Sequence, residues 1–78
     1  MLKTIVRKDY AQIIKNLTFA RKSQEIRQYA LAEKLGKTQS FVSKYERRER
    51  RLDVMEFLDV ARALGVDPSD MTKNLPNP

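Results

Sequence analysis

The sequence predicts an all-α domain, a compact bundle of about five short helices. Three observations carry this. Only two glycines and three prolines occur in 78 residues. β-Branched residues are sparse, and apolar residues recur at spacings of three and four rather than in alternation.

In the first helix Tyr10, Ile13, Ile14, Leu17, Ala20 and Arg21 form one stripe between about Asp9 and Lys22. Phe19 lies on the opposite side. A second, short helix spans Gln28–Leu35, with Leu31, Ala32 and Leu35 inward, and Gly36 supplies its left-handed stop. Thr38 is placed to cap a third helix through about Arg47, its hydroxyl accepting from an early amide. A fourth stripe, Val54, Phe57, Leu58, Ala61 and Leu64, is closed by Gly65. Asp67 caps a last short helix, Pro68–Met71, with proline at its first position. Residues 1–72 are expected to form a single domain, and 73–78 a flexible tail.

Composition removes several function classes. There are no cysteines and no histidines, so thiolate metal sites, disulfides and the commonest general base are absent. Asp67 with Asp70, and Asp53 with Glu56 and Asp59, sit at helix starts or outer faces, where carboxylates meet the helix dipole favourably. Ser23, Ser40 and Ser43 have no base to activate them. No enzyme activity, metal or cofactor is expected. No apolar run reaches the roughly 18 residues of a membrane span, and MLKTIVRKDY lacks the apolar core of a signal peptide. A cytoplasmic protein without membrane partners is the expectation. Sixteen Lys and Arg against ten Asp and Glu give +6, with a pI near 9.9, a balance that favours polyanions.

The third helix gives that charge a position. In QSFVSKYER, Phe41, Val42 and Tyr45 gather on one side; Gln39, Ser40, Ser43, Lys44 and Arg47 gather on the other. The outer face carries an amide, hydroxyls and cations, and no carboxylate. Gln can pair bidentately with adenine, Lys can donate to guanine, and Ser suits either. A short helix, a glycine turn and a second helix over about 28–47 are the parts of a helix-turn-helix, with Ala32 small enough for a steep crossing.

From Arg21 to Val66 the chain resembles the lambda-repressor/Cro-like (XRE-type) helix-turn-helix family. The resemblance rests on Gln28, Leu31-Ala32, Leu35-Gly36, Ser43-Lys44, Glu46 and the closing ARALGV. It implies a lambda-repressor-like bundle whose third helix lies in the major groove. Thr38, Gln39, Ser40, Ser43 and Lys44 would touch bases. Gln28, Lys37, Arg47, Arg48, Arg50 and Arg51 would touch phosphate, and Arg21 would pair with Glu46 between the first and third helices. The function implied is a double-stranded DNA-binding transcriptional regulator, expected as a homodimer on an inverted repeat. The alternative is an antitoxin-like or adaptor module whose main ligand is a protein.

Three departures from the family pattern bear on the backbone. Arg27 stands where a Ser or Thr cap is usual before Gln28. Glu25 replaces a common glycine, which would let the first helix run longer. Arg48 also replaces a common glycine, leaving either a strained left-handed residue or a longer third helix. In the run YERRERRL, Tyr45 is therefore read as core, Glu49 as a solvated spacer and Leu52 as the return to the core. Phe19, Tyr29, Met55 and Met71 are apolar groups that the helical wheels leave unassigned, and Met55 and Met71 are the first candidates for a dimer contact.

Overall fold

The computed structural model describes residues 4–78. After a single 3₁₀ turn, Thr4–Val6, five helices follow: α1 Lys8–Ser23, α2 Gln28–Leu35, α3 Gln39–Glu46, α4 Val54–Leu64 and α5 Pro68–Met71. No strand occurs among the described residues. Helix α1 lies against α3, α4 and α5, while α2 packs on α3 and α4. The shared core is Ile14 and Leu17 of α1, Leu31 of α2, Val42 and Tyr45 of α3, and Val60 of α4, each at most 2% exposed. These are large side chains at helical spacing, and removing them from water is the main force holding short helices together.

The α1 stripe is buried as its periodicity requires, with Ile13 at its half-buried margin and Phe19 73% exposed on the far side. The α4 stripe needs a correction. Val54, expected inward, is 73% exposed, and Val60, outside the expected stripe, is fully buried. Phe57, Val60, Ala61 and Leu64 set the true face. Val54 is the first residue of α4 and lines the rim of an apolar groove formed with Tyr10, Ile13 and Leu52. The Tyr10 hydroxyl accepts the Leu52 amide at 3.0 Å, tying the incoming loop to α1. Met71, unassigned by periodicity, packs half-buried against the core.

Four helices end the same way. After α2 and α4, Gly36 and Gly65 take φ of 66° and 69°. After α1 and α3 the same left-handed position is filled by Glu25 (φ 59°) and Arg48 (φ 60°). At each end the left-handed residue and its successor donate back into the last turn: Glu25 to Lys22 and Ile26 to Arg21, Arg48 to Tyr45 and Glu49 to Lys44. This pairing satisfies carbonyls that a helix end otherwise leaves unbonded. Both open expectations are thereby settled against longer helices: α1 stops at Ser23 and α3 at Glu46.

A β-carbon in this conformation costs about 1–2 kcal/mol, part of which glycine's greater unfolded-state entropy gives back. Arg48→Gly is therefore expected to stabilise the fold by about 0.5–1 kcal/mol. Urea unfolding with an unchanged m-value would show it as a higher midpoint. A lower midpoint would mean that the Arg48 side chain contributes more to the fold than its conformation costs.

Among the described residues one buried polar side-chain atom lacks a partner. The Tyr45 hydroxyl is buried with no hydrogen-bond partner among the described residues, and burial pushes its pKa well above the usual phenol range.

Candidate nucleic-acid interface

Helix α3 is held at both ends and along its inner side, leaving one face outward. At its start the Thr38 hydroxyl accepts the Phe41 amide at 3.2 Å, while Gly36 and Lys37 close α2 two residues earlier through bonds to Glu33 and Ala32. Val42 and Tyr45 are fully buried. The residues pointing away, Gln39, Ser40 and Lys44, are exposed, and Ser43 is half-exposed. The Ser43 hydroxyl also accepts from the Arg47 guanidinium. The face presents no carboxylate, because Glu46, the acid within α3, turns inward.

Glu46 is the centre of a buried polar cluster. Arg21 Nε donates to Glu46 Oε2 at 2.7 Å and Arg21 Nη2 to Oε1 at 2.9 Å. The two side chains are 8% and 7% exposed. Arg21 Nη1 also donates to the Ile26 carbonyl at 2.7 Å, in the turn between α1 and α2. Gln28 Nε2 adds a 2.9 Å bond to Glu46 Oε1. One carboxylate thus ties α1, the α1–α2 turn, α2 and α3 together, and it fixes the angle at which α3 leaves the bundle. The Gln28 side chain is committed here. Arg27, the residue before α2, makes no side-chain cap, so the first amides of α2 remain open and are the groups that can meet a phosphate oxygen.

The arginines that follow α3 occupy different environments. Arg47 pairs with Glu49 at 2.7 Å in an exposed bridge, so Glu49 is solvated as expected but is also the partner of Arg47, in a contact that water and salt screen. Arg50 forms a bidentate pair with Glu56, at 2.9 and 2.7 Å, and its guanidinium stacks 4.8 Å from the Phe41 ring centroid. Lys37 lies 5.5 Å from the same ring. Arg50 therefore braces the loop between α3 and α4. Arg48 is exposed, in the left-handed conformation that turns the chain away from α3. Arg51 is also exposed.

Glu56 has a second task. It accepts the Asp53 amide at 2.9 Å while Asp53 accepts the Glu56 amide at 2.7 Å, a reciprocal cap at the start of α4. The Arg50 guanidinium first, and then the Asp53 amide, hold the Glu56 carboxyl down at about 2 against an ordinary 4.5. A group with a depressed folded-state pKa stabilises fully above its unfolded value and loses that contribution as pH falls. The Glu56 contribution should be complete above about pH 4.5 and should drain away between pH 4.5 and 2. Thermal midpoints of the parent protein and Glu56→Gln should differ at neutral pH and converge in acid. A gap that stays constant across this range would contradict the assignment.

Pairing by spacing along one helix could not reach some of these partners. Arg50 and Glu56 are separated by a loop, and Gln28 and Ile26 meet Glu46 and Arg21 only once the bundle has closed. The usable signals were Asp53 three residues before Glu56, which has capping-box spacing, and an aromatic, Phe41, at the margin of the core.

Set against known proteins, residues 18–71 match a family model described as Helix-turn-helix. Among solved structures the chain is similar to an XRE-family like protein from Pseudomonas syringae pv. tomato str. DC3000. The two share 48% identity, covering 81% of this chain and 77% of that one, with a TM-score of 0.77. It is also similar to the restriction-modification controller protein C.AhdI from Aeromonas hydrophila. There the identity is 26%, covering 78% of this chain and 88% of that one, with a TM-score of 0.72. No curated protein matches the sequence.

Proposed function

Because this chain belongs to the XRE-type helix-turn-helix family of DNA-binding transcription regulators, we propose that it reads double-stranded DNA by seating α3 in the major groove. The observation that carries this reading is the outward face of α3, exposed at Gln39, Ser40 and Lys44 and free of carboxylates. Gln39 is assigned to adenine and Lys44 to guanine acceptors, with Thr38, Ser40 and Ser43 as shorter-range donors and acceptors. The Thr38 hydroxyl proton is available for this purpose, since among the described residues that hydroxyl accepts from the Phe41 amide and donates to none.

Phosphate contacts flank that helix. On one side are the open amides at the start of α2, with Gln28 positioned by Glu46. On the other are Lys37, Arg47, Arg48 and Arg51, with Arg50 contributing its field while it braces the loop. Contacts of this kind fix the register of the protein on the duplex and supply much of the affinity.

The proposed assembly is a homodimer on an inverted repeat, since one short helix reads only a few base pairs. The contact is placed on the side of α4, where Val54 and Met55 are 73% and 60% exposed. Met71 is withdrawn from that role because it packs against the protein's own core. Titration of a mixed-sequence duplex at rising salt tests the DNA reading. The logarithm of the affinity should fall linearly, by about 0.9 per phosphate neutralised for each unit of log salt. Binding that is absent at low salt, or indifferent to salt, would remove it.

A further inference from the structure

We propose that the outer face of α1 is a second binding surface, a basic groove that receives an acidic segment of a partner protein through an apolar anchor on Phe19. The groove runs between α1 and the turn that follows α3, with a volume of about 380 Å³. Ala11, Ile14 and Phe19 give it an apolar wall, and Lys15, Lys22 and Arg48 give it charge. Phe19 is 73% exposed in the middle of a well-formed helix, where nothing in the fold requires an aromatic ring.

Charge complementarity identifies the occupant. Lys15, Lys22 and Arg48 have no carboxylate partner among the described residues. Glu46, the one acid on the groove, is committed to Arg21 and Gln28. Lys8, Lys15 and Lys22 also recur seven residues apart, so the α1 surface repeats a cation every two turns with no acid between them on that line. An acidic peptide satisfies these cations, and its apolar residue covers the ring, in the way amphipathic segments dock on grooves.

Two other occupants fit less well. A phosphate backbone would meet the cations but leave the Phe19 ring in water. A second copy joined by a two-fold axis through this face would set the same cations against one another, since an isologous contact repeats each patch on both sides. The inference goes beyond DNA reading and shares only Arg48 with the proposed phosphate contacts, so variants at Phe19, Lys15 and Lys22 let the two fail separately.

The test uses the full chain, Phe19→Ala and the double variant Lys15→Ser with Lys22→Ser; Arg48 is left intact because it also serves the proposed phosphate contacts. The probe is a fluorescein-labelled peptide of about twelve residues, rich in Asp and Glu with two leucines, and the control has every acid replaced by Ser. Anisotropy should show the acidic probe bound about tenfold tighter than the control, with each variant losing about tenfold. Duplex affinity and sedimentation mass should stay as in the parent. Equal binding of both peptides, or of neither, overturns the proposal. Loss of duplex binding in the variants would instead give the groove to DNA, and a change in mass would give it to a second copy.

Discussion

Replacing Glu46 with alanine is expected to destabilise the protein by about 3–5 kcal/mol, the usual cost of leaving one member of a buried ion pair without its partner. Arg21 is 7% exposed and would keep only the Ile26 carbonyl, at 2.7 Å, for a guanidinium that cannot be neutralised. Gln28 would lose its acceptor in the same step. A domain of this size has a total stability of only about 4–12 kcal/mol, so the variant should be partly unfolded at ambient temperature. The effect is therefore best read from urea midpoints at low temperature. The double variant Arg21→Met, Glu46→Leu separates the cost of an orphaned charge from the worth of the pair. Replacing both ions by apolar groups should recover most of the loss, because the pair must itself offset the desolvation of two charges. A Glu46→Ala cost below about 1 kcal/mol would mean that solvent reaches Arg21. A double variant no better than the single would mean that the pair holds the angle between α1 and α3 by geometry.

Gln39→Ala is expected to weaken binding to the preferred duplex by about 1–3 kcal/mol and to relax discrimination at one base pair. The side chain stands at the first position of α3, exposed and free of intramolecular bonds among the described residues. Its removal should leave the fold untouched, and unfolding midpoints would confirm that before any binding measurement. The amide can donate and accept at once, which suits the paired acceptor and donor on the major-groove edge of adenine. Mobility-shift titrations on the preferred and a scrambled duplex distinguish readout from adhesion. A loss confined to the preferred duplex assigns Gln39 to base recognition. An equal loss on both would move it to the phosphate contacts and leave Ser40 and Lys44 to carry specificity.

These two variants act on groups that differed in how plainly the sequence exposed them. The helix order, the Gly36 and Gly65 stops and the Thr38 cap were legible because each is a local rule, settled within one or two turns. The outer face of α3 was legible because three apolar neighbours, Phe41, Val42 and Tyr45, fix which side of a short helix is buried. The phase of α4 differs from the periodic expectation at Val54 and Val60, since spacing along one helix cannot show which of its turns the rest of the bundle covers. The conformation of Arg48 was undecidable from the residue itself. An arginine there suits a continuing helix better than a left-handed turn, and the fold imposes the turn to bring Leu52 back beside Tyr10. Most hidden of all was the role of Arg50. In sequence it stands in a run of arginines and reads as a phosphate ligand. In the structure Glu56 and the face of Phe41 hold it, so a run that is uniform in composition is divided in task.

Whether α3 reads base edges in a two-fold arrangement can be decided by selecting bound sequences from a random duplex pool. An inverted repeat is expected, its half-sites centred about one helical turn, roughly 34 Å, apart. Gln39→Ala should broaden the same position in both halves. Enrichment of a single asymmetric site, or no enrichment over the starting pool, would contradict two-fold base reading.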